Sequence, residues 1–528
     1  MFTVSSAATM PRAPRFVSSH ALGLWLAAVA LAGCGASPGK ESPDAAGNVA
    51  DAAHALPDGN VADAAHALPD AAVSDSAAAD APSPLAPCAV PAPRLGNDSD
   101  ALALAAAPAR CGQTGFHWLS DPSLGTITAV GSRTHFAATT LNTLVSASGT
   151  QLPLTLTHDV DVAVAEYTTQ DRGVLLPATA VMAWPTDLAT RQEAPILLVL
   201  HGTTGFTDAC APSATPDTRL LAAAFASAGY VAVAPDYLGM LSFNGPSGYP
   251  HPYLVGQATA IASLDSVRAA VRIVASENIT TCADTRFVAI GGSQGGHAAL
   301  WVDRLAPYYA PELTLAGVVA TVPPADILAE AVRALTMTVP ATLNTVAFYA
   351  ASAPWYDVGA RLSEVLLPPY DTTIPMELMS TCSPGDELRS MGPATIFTSA
   401  LRTAATSEAS LEAFSPWGCI AQENSLTSTS VVRQTPTDPS YGVLWVLGAA
   451  DQLVSTPIER QSFVSLCAAG MRMQYLECAG AGHTQVTGWA LPEILEFARA
   501  RLGGQPMDPT MVCDVTPAAR CLGTPAGM

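Results

Sequence analysis

Phe287-Val288-Ala289-Ile290-Gly291-Gly292-Ser293-Gln294-Gly295-Gly296-His297-Ala298-Ala299-Leu300-Trp301 is the stretch on which the reading of this chain turns. Four apolar residues run as a buried strand into a glycine turn, and a helix-type segment leaves it. Gly291-x-Ser293-x-Gly295 has the spacing of a nucleophile elbow, in which a serine sits on a strained turn between strand and helix. Small residues two before and two after let strand and helix approach that closely. The motif alone is weak, because a glycine-rich turn without chemistry has the same composition. The strand before it and the helix after it are the context the elbow requires.

Upstream, strands and helices alternate. Asp161–Thr168 alternates as a half-exposed strand, and Val174–Trp184 reads as a second. Pro195–Leu200 is a continuous aliphatic run ending in His201-Gly202-Thr203-Thr204-Gly205. A helix follows, with Thr215 as N-cap, Pro216 at its first position, Asp217 in its first turn and Gly229 as its stop. Tyr230–Ala234 is the next buried strand, and a long helix is expected from about Val255 to Ser276. The succession predicts a mostly parallel sheet covered by helices on both faces.

A serine nucleophile needs a base, and in chains with this elbow the order is serine, acid, histidine. His483, in Cys478-Ala-Gly-Ala-Gly-His483, is the only histidine beyond His297. The acid must orient the imidazole. Asp451 closes the turn Gly448-Ala449-Ala450-Asp451 after the buried strand Val443–Leu447, at the strand end where parallel sheets carry their ligands. Asp438 lies before that strand and Asp326 follows the strand after the elbow, while Asp386 is the leading outsider. Two backbone amides are expected to form an oxyanion hole, from Gln294 after the nucleophile and from Thr203 after the His201-Gly202 strand end. Asp208 on the same loop has no assigned role, and His201, which precedes the serine, reads as a structural loop residue.

These stretches resemble the α/β-hydrolase superfamily and, within it, the secretory lipase family. The likeness is carried by the His201-Gly202 loop with Cys210-Ala211-Pro212-Ser213, by Gly229-Tyr230, and by Pro235-Asp236-Tyr237-Leu238-Gly239. Tyr253-Leu254, Leu264-Asp265-Ser266-Val267-Arg268, the Ser293 elbow, the Asp451 turn and His483 complete it. The resemblance covers about Val160 to Leu502 and implies a serine esterase or lipase with a cap over its site. The elbow also looks like those of carbohydrate esterases and prolyl-oligopeptidase-type peptidases. Asp451 lies 158 positions after Ser293, about twice what one strand and two helices need. The excess from about 324 to 437 therefore reads as an inserted, mainly helical cap. Trp355 and Tyr356 lie in it, in a lid that could present apolar surface to acyl chains or keep it for its own core.

Composition sets the limits. The chain of 528 residues holds 44 Asp and Glu against 23 Lys and Arg, for a net charge of −21, which excludes nucleic acid as a partner. Lys40 is the only lysine, so phosphate loops, Schiff bases and Ser-Lys dyads in a folded domain are excluded. Arg12 and Arg15 precede the apolar run Ala21–Ala32, too short to span a bilayer, and Leu31-Ala32-Gly33-Cys34 resembles the lipobox of bacterial lipoproteins. That resemblance implies a signal peptide over residues 1–33 and lipidation of Cys34, hence export to the cell envelope, at the outer membrane or cell surface. An ordinary secretory signal gives export alone. Residues 34–94 form an Ala, Asp and Pro-rich tether containing GNVADAAHALPD twice, at 47–58 and 59–70, and the hydrolase domain occupies 95–528. Ten cysteines beside Cys34 favour disulfides, with short-range pairs such as Cys513–Cys521 and Cys467–Cys478 expected.

The expectation is an exported hydrolase of carboxylic esters acting through Ser293, His483 and Asp451, with no metal and no cofactor. The alternatives are a peptidase or amidase with the same residues, and an inactive surface-binding protein on a hydrolase fold.

Overall fold

The computed structural model describes residues 87–96, 110–147, 152–188, 192–277 and 280–526. The expected signal peptide, Cys34 and the repeat-bearing tether lie outside these residues. Among the described residues, ten strands form one sheet: β1 (Ile127–Val130), β2 (Thr134–Phe136), β3 (Val160–Asp171), β4 (Val174–Pro185), β5 (Gln192–Leu200), β6 (Val231–Pro235), β7 (Thr281–Gly292), β8 (Thr314–Thr321), β9 (Gly442–Gly448) and β10 (Met473–Cys478). Their order is β1-β3-β4-β6-β5-β7-β8-β9-β10, with β2 paired to β3. The pairs from β6 through β5 to β10 are parallel, and those among β1 to β4 and between β4 and β6 are antiparallel.

Strand alternation divides the sheet's side chains between two helical layers. Leu197, Ala232 and Val288 face the layer built by α1 (Ala138–Ala147), α2 (Pro216–Ser227) and the C-terminal helix Leu491–Leu502. Ile196, Val233 and Phe287 face α3 (Gly256–Ser276) and α4 (Gln294–Tyr309). Thr215 caps α2 by accepting from the Thr218 amide, as its position before Pro216 predicts. β6 and β7 lie on opposite sides of β5, so the chain reverses its direction of travel across the sheet there. In open α/β sheets that reversal opens a crevice at the carboxyl ends of the strands. The loop after β5 and the elbow after β7 both leave into it.

The segment between β8 and β9 holds helices α5 (Ile327–Thr336), α6 (Thr342–Ser352) and α7 (Tyr370–Leu378), followed by four short ones ending at Glu423. Trp355 and Tyr356 are buried at its base rather than turned to the crevice. The Trp355 indole donates to Asp171 at the end of β3, and the Tyr356 hydroxyl accepts from Asn424. Two disulfides, Cys111–Cys419 and Cys210–Cys382, tie this cap to segments outside it.

The expected short-range disulfides are incorrect. Cys467 pairs with Cys513, and Cys478 pairs with Cys521. β10 extends between Cys467 and Cys478 and carries them apart. The C-terminal segment runs alongside that strand, bridging at Gln474 and at Cys478, and brings one of its cysteines to each. Cys88–Cys282 closes the remaining pair. Among the described residues, no helix is long and apolar enough to cross a membrane.

Candidate active site

Ser293 stands between β7 and α4 with φ 55° and ψ −121°, a backbone conformation that a residue with a side chain adopts only when its surroundings impose it. The glycines around it are what permit this. A Cβ at Gly291 would collide with the Gly295 carbonyl, and one at Gly295 with the Leu200 carbonyl. The Ser293 amide donates to the Thr321 carbonyl at the end of β8 (2.9 Å), which fixes the turn against the neighbouring strand.

His483 lies in the small-residue loop after β10. Its Nε2 is 2.9 Å from Ser293 Oγ, and its Nδ1 is 2.7 Å from Asp451 Oδ2. Both the imidazole and the carboxylate are buried. The other oxygen of Asp451 accepts from the Leu453 and Val454 amides (2.9 and 3.1 Å), so the carboxylate cannot rotate away from His483. The two loops are joined by their main chains: the Ala450 amide donates to Ala481 (2.9 Å), and Gly448 lies too close to the Ala481 carbonyl to carry a side chain. An imidazole placed between a hydroxyl and a carboxylate in this way can take the hydroxyl proton and be stabilised as the cation.

Gln294 opens α4, so its amide is among those the helix itself leaves without an acceptor. Its side chain meets His251 (Nε2 to Nε2, 3.0 Å), whose Nδ1 faces the Leu238 carbonyl (2.8 Å). The carbonyl can only accept, so Nδ1 carries the proton and Nε2 accepts from the Gln294 side-chain amide Nε2, which leaves the backbone amide of Gln294 uninvolved. Burial lowers the His251 pKa to about 4 and keeps the ring neutral. Thr203, after β5, has its hydroxyl 2.8 Å from the Tyr253 hydroxyl, which also receives a hydrogen bond from Asn344 of α6 (3.0 Å).

The other carboxylates considered from sequence lie elsewhere. Asp438 pairs with Arg286 at the opposite end of the sheet, Asp326 caps α5, and Asp386 pairs with Arg389 on the cap. Asp208 accepts from the Leu241 and Ser247 amides and so organises a loop. His201 is buried and stacked on Tyr237, and burial lowers its pKa to about 4. Sequence reasoning gave no role to His251, Asn344 or Glu330. Glu330 of α5 accepts from the Ser455 amide (2.6 Å), while Arg333 donates to the Gln452 and Leu453 carbonyls. The cap thereby braces the loop that presents Asp451. Only Pro250 and Pro252, which stiffen the chain on either side of His251, could have marked it.

Ser293 forms part of the wall of two cavities. One, of about 510 Å³, is also lined by Thr203, His483 and Thr484. The other, of about 50 Å³, runs between α5 and α6 and is lined by Tyr253, Phe348 and Glu330 among others.

A model of the secretory lipase family matches residues 211–509, more than half of the chain and all of the elements that carry Ser293, Asp451 and His483. The chain belongs to the secretory lipase family. It is therefore a carboxylic ester hydrolase, and its five disulfides fit the export that the family name implies. No curated protein matches this lipase in sequence. Its fold is similar to that of the rice cell wall degrading esterase LipA of Xanthomonas oryzae, at 18% identity and a TM-score of 0.57, over 72% of this chain and 97% of that one. It is similar also to lipase A of Candida antarctica in its closed state, at 17% identity and a TM-score of 0.55, over 77% and 90% of the two chains.

Proposed function

We propose that this secretory lipase hydrolyses carboxylic esters through an acyl-enzyme on Ser293. His483 takes the Ser293 proton as Oγ bonds to the ester carbonyl carbon, and returns it to the alcohol oxygen as the acyl–oxygen bond breaks. Water, activated by the same imidazole, then releases the acid and restores the serine. Asp451 orients His483, and the Gln294 and Thr203 amides hold the oxyanion. The observation that carries this reading is the continuous hydrogen-bond line from Asp451 through His483 to Ser293 Oγ. The family and the esterase and lipase folds it resembles support it.

For the chain as a whole we infer cleavage before Cys34, a lipid anchor on that cysteine and a tether over 34–94. These would carry the hydrolase domain at 95–528, with its cap at about 324–437, on a bacterial envelope. Globomycin-sensitive processing and loss of membrane association in Cys34→Ala would support the anchor, and unchanged fractionation would refute it. For the chemistry, a fluorophosphonate probe should label the purified enzyme, p-nitrophenyl esters should be hydrolysed, and Ser293→Ala should abolish both. Labelling that survives the substitution would overturn the assignment. Labelling with cleavage of aminoacyl anilides but not of esters would reassign the enzyme as a peptidase.

A further inference from the structure

We propose that the enzyme is selective for short acyl groups carried on bulky, partly polar alcohols, because the two cavities that meet at Ser293 divide the substrate unequally. The inference rests on the roles of Ser293 and His483 proposed above and adds to them which half of the ester goes where.

The division follows from proton transfer. His483 must deliver a proton to the leaving alcohol oxygen, so the alcohol has to lie on the side of Ser293 where the imidazole is. His483 and Thr484 line the larger cavity, of about 510 Å³, and not the narrower one. The leaving group therefore occupies the larger cavity, and the acyl group extends from Ser293 to the other side. What it meets there is a slot of about 50 Å³ bounded by Tyr253, Leu254, Ile327, Ala331, Thr345 and Phe348. A dry cavity of roughly 150 Å³ accommodates a molecule the size of benzene. A slot one third of that size favours a short acyl chain over a long one. Phe348 and Ile327 are buried, so neither can swing into solvent to lengthen it. Glu330 is a further wall residue, and its carboxylate is held by the Ser455 amide and Arg333. An alkyl chain reaching that point would have to displace a hydrogen-bonded carboxylate.

The larger cavity has a different wall. Phe206, Leu343 and Ala347 supply apolar surface, and Thr338, Ser383 and Arg389 supply hydrogen-bonding groups. Its volume and mixed lining suit an alcohol with both a hydrophobic body and polar substituents.

The test has two substrate ladders, each read as Ser293-dependent kcat/KM. In p-nitrophenyl esters from acetate to dodecanoate, the value should be highest at or below butanoate and fall at least about ten-fold by octanoate, the scale on which a filled pocket rejects surplus methylenes. In acetate esters of alcohols from methanol to substituted aryl and polyhydroxylated alcohols, it should rise with alcohol size after correction for leaving-group pKa. Phe348→Ala, which lengthens the slot, should raise octanoate relative to acetate about ten-fold, and Ile327→Ala serves the same purpose should the first variant not fold. Leu343→Trp should depress bulky-alcohol esters at least about ten-fold more than methyl acetate. A wild-type maximum at octanoate or beyond, or an unmoved chain-length profile in a slot variant that still hydrolyses acetate, would overturn the inference and leave the Ser293 mechanism intact. Absence of any Ser293-dependent ester turnover would instead remove the mechanism, and the inference with it.

Discussion

The strand ends that carry Ser293, Asp451 and His483 are held mainly by main chain, whereas the cap above them is held by side chains and disulfides. At the strand ends the Ser293 amide bonds to Thr321, the Ala449 amide to Cys478 and the Ala450 amide to Ala481, and glycines allow the close approaches. The cap reaches the sheet through Trp355 on Asp171, Asn424 on the Gly256 amide, Arg333 on the Asp451 loop, and the Cys111–Cys419 and Cys210–Cys382 bridges. Reaction geometry thus depends on turns that few substitutions leave intact. Selection among substrates depends on contacts that single side chains can change.

The largest effect should come from the strand-end side of that comparison. Asp451→Asn keeps the shape of the side chain but replaces the carboxylate that orients Nδ1 of His483. It should lower kcat about 10³- to 10⁴-fold with little change in KM or melting temperature. Activity above a tenth of wild type would mean that another carboxylate can take its place.

On the cap side, removing Cys210–Cys382 by Cys210→Ser/Cys382→Ser should act on stability and affinity before chemistry. The bridge spans 172 positions, joins the Thr203 loop's far end to the wall of the larger cavity, and should be worth about 2 to 5 kcal/mol of unfolding free energy. KM for bulky esters should rise, and kcat for acetate esters should stay within a few-fold. A collapse of kcat at unchanged KM would show that the cap holds the catalytic turns as well as covering them.

A smaller and pH-dependent effect is expected where the two regions meet a buried base. Burial lowers His251 from 6.5 to about 4, so in that window the unfolded chain binds a proton that the folded chain does not. Stability from this group is therefore present above about pH 6.5 and is lost as the pH falls towards 4, by about 3 kcal/mol in all. His251→Gln removes the titration. Wild type should lose stability relative to the variant as pH is lowered from 7 to 4, and parallel denaturation curves for the two would refute the assignment.

The same division explains what could be read from the sequence. The elbow is legible because Gly291, Ser293 and Gly295 are neighbours in the chain and each is required by a local collision or torsion. Asp451 follows from a buried strand ending in a small-residue turn, since the function of a parallel strand end is positional. The disulfides were misread because they depend on the path of the C-terminal segment along β10, which no local pattern encodes. Asn344 and Tyr253 are separated by 91 positions and meet only when α6 closes over the loop after β5. Trp355 and Tyr356 leave open whether they face the site or the cap's own core, because an apolar pair looks the same in sequence whether it faces a crevice or an Asp171 carboxylate.

The smallest effect should fall on the contact that joins the two regions directly. The Tyr253 hydroxyl lies between Thr203 of the strand-end region and Asn344 of the cap, within 2.8 and 3.0 Å. It is buried, and burial raises its pKa, so it remains a neutral donor and acceptor across the working range. Asn344 donates to its oxygen, and its hydrogen bond with the Thr203 hydroxyl ties the loop after β5, whose Thr203 amide is proposed for the oxyanion hole, to the cap. Tyr253→Phe keeps the ring against Phe206 and deletes the hydroxyl's bonds to Thr203 and Asn344. A hydrogen bond of this kind is worth about 1 kcal/mol, so kcat should fall about five-fold. Asn344→Leu should reproduce part of that loss, and in the double variant the two losses should not add, because both act through one hydroxyl. Full additivity would mean that Asn344 acts on the cap alone, and that the link between cap and oxyanion loop runs through the disulfide instead.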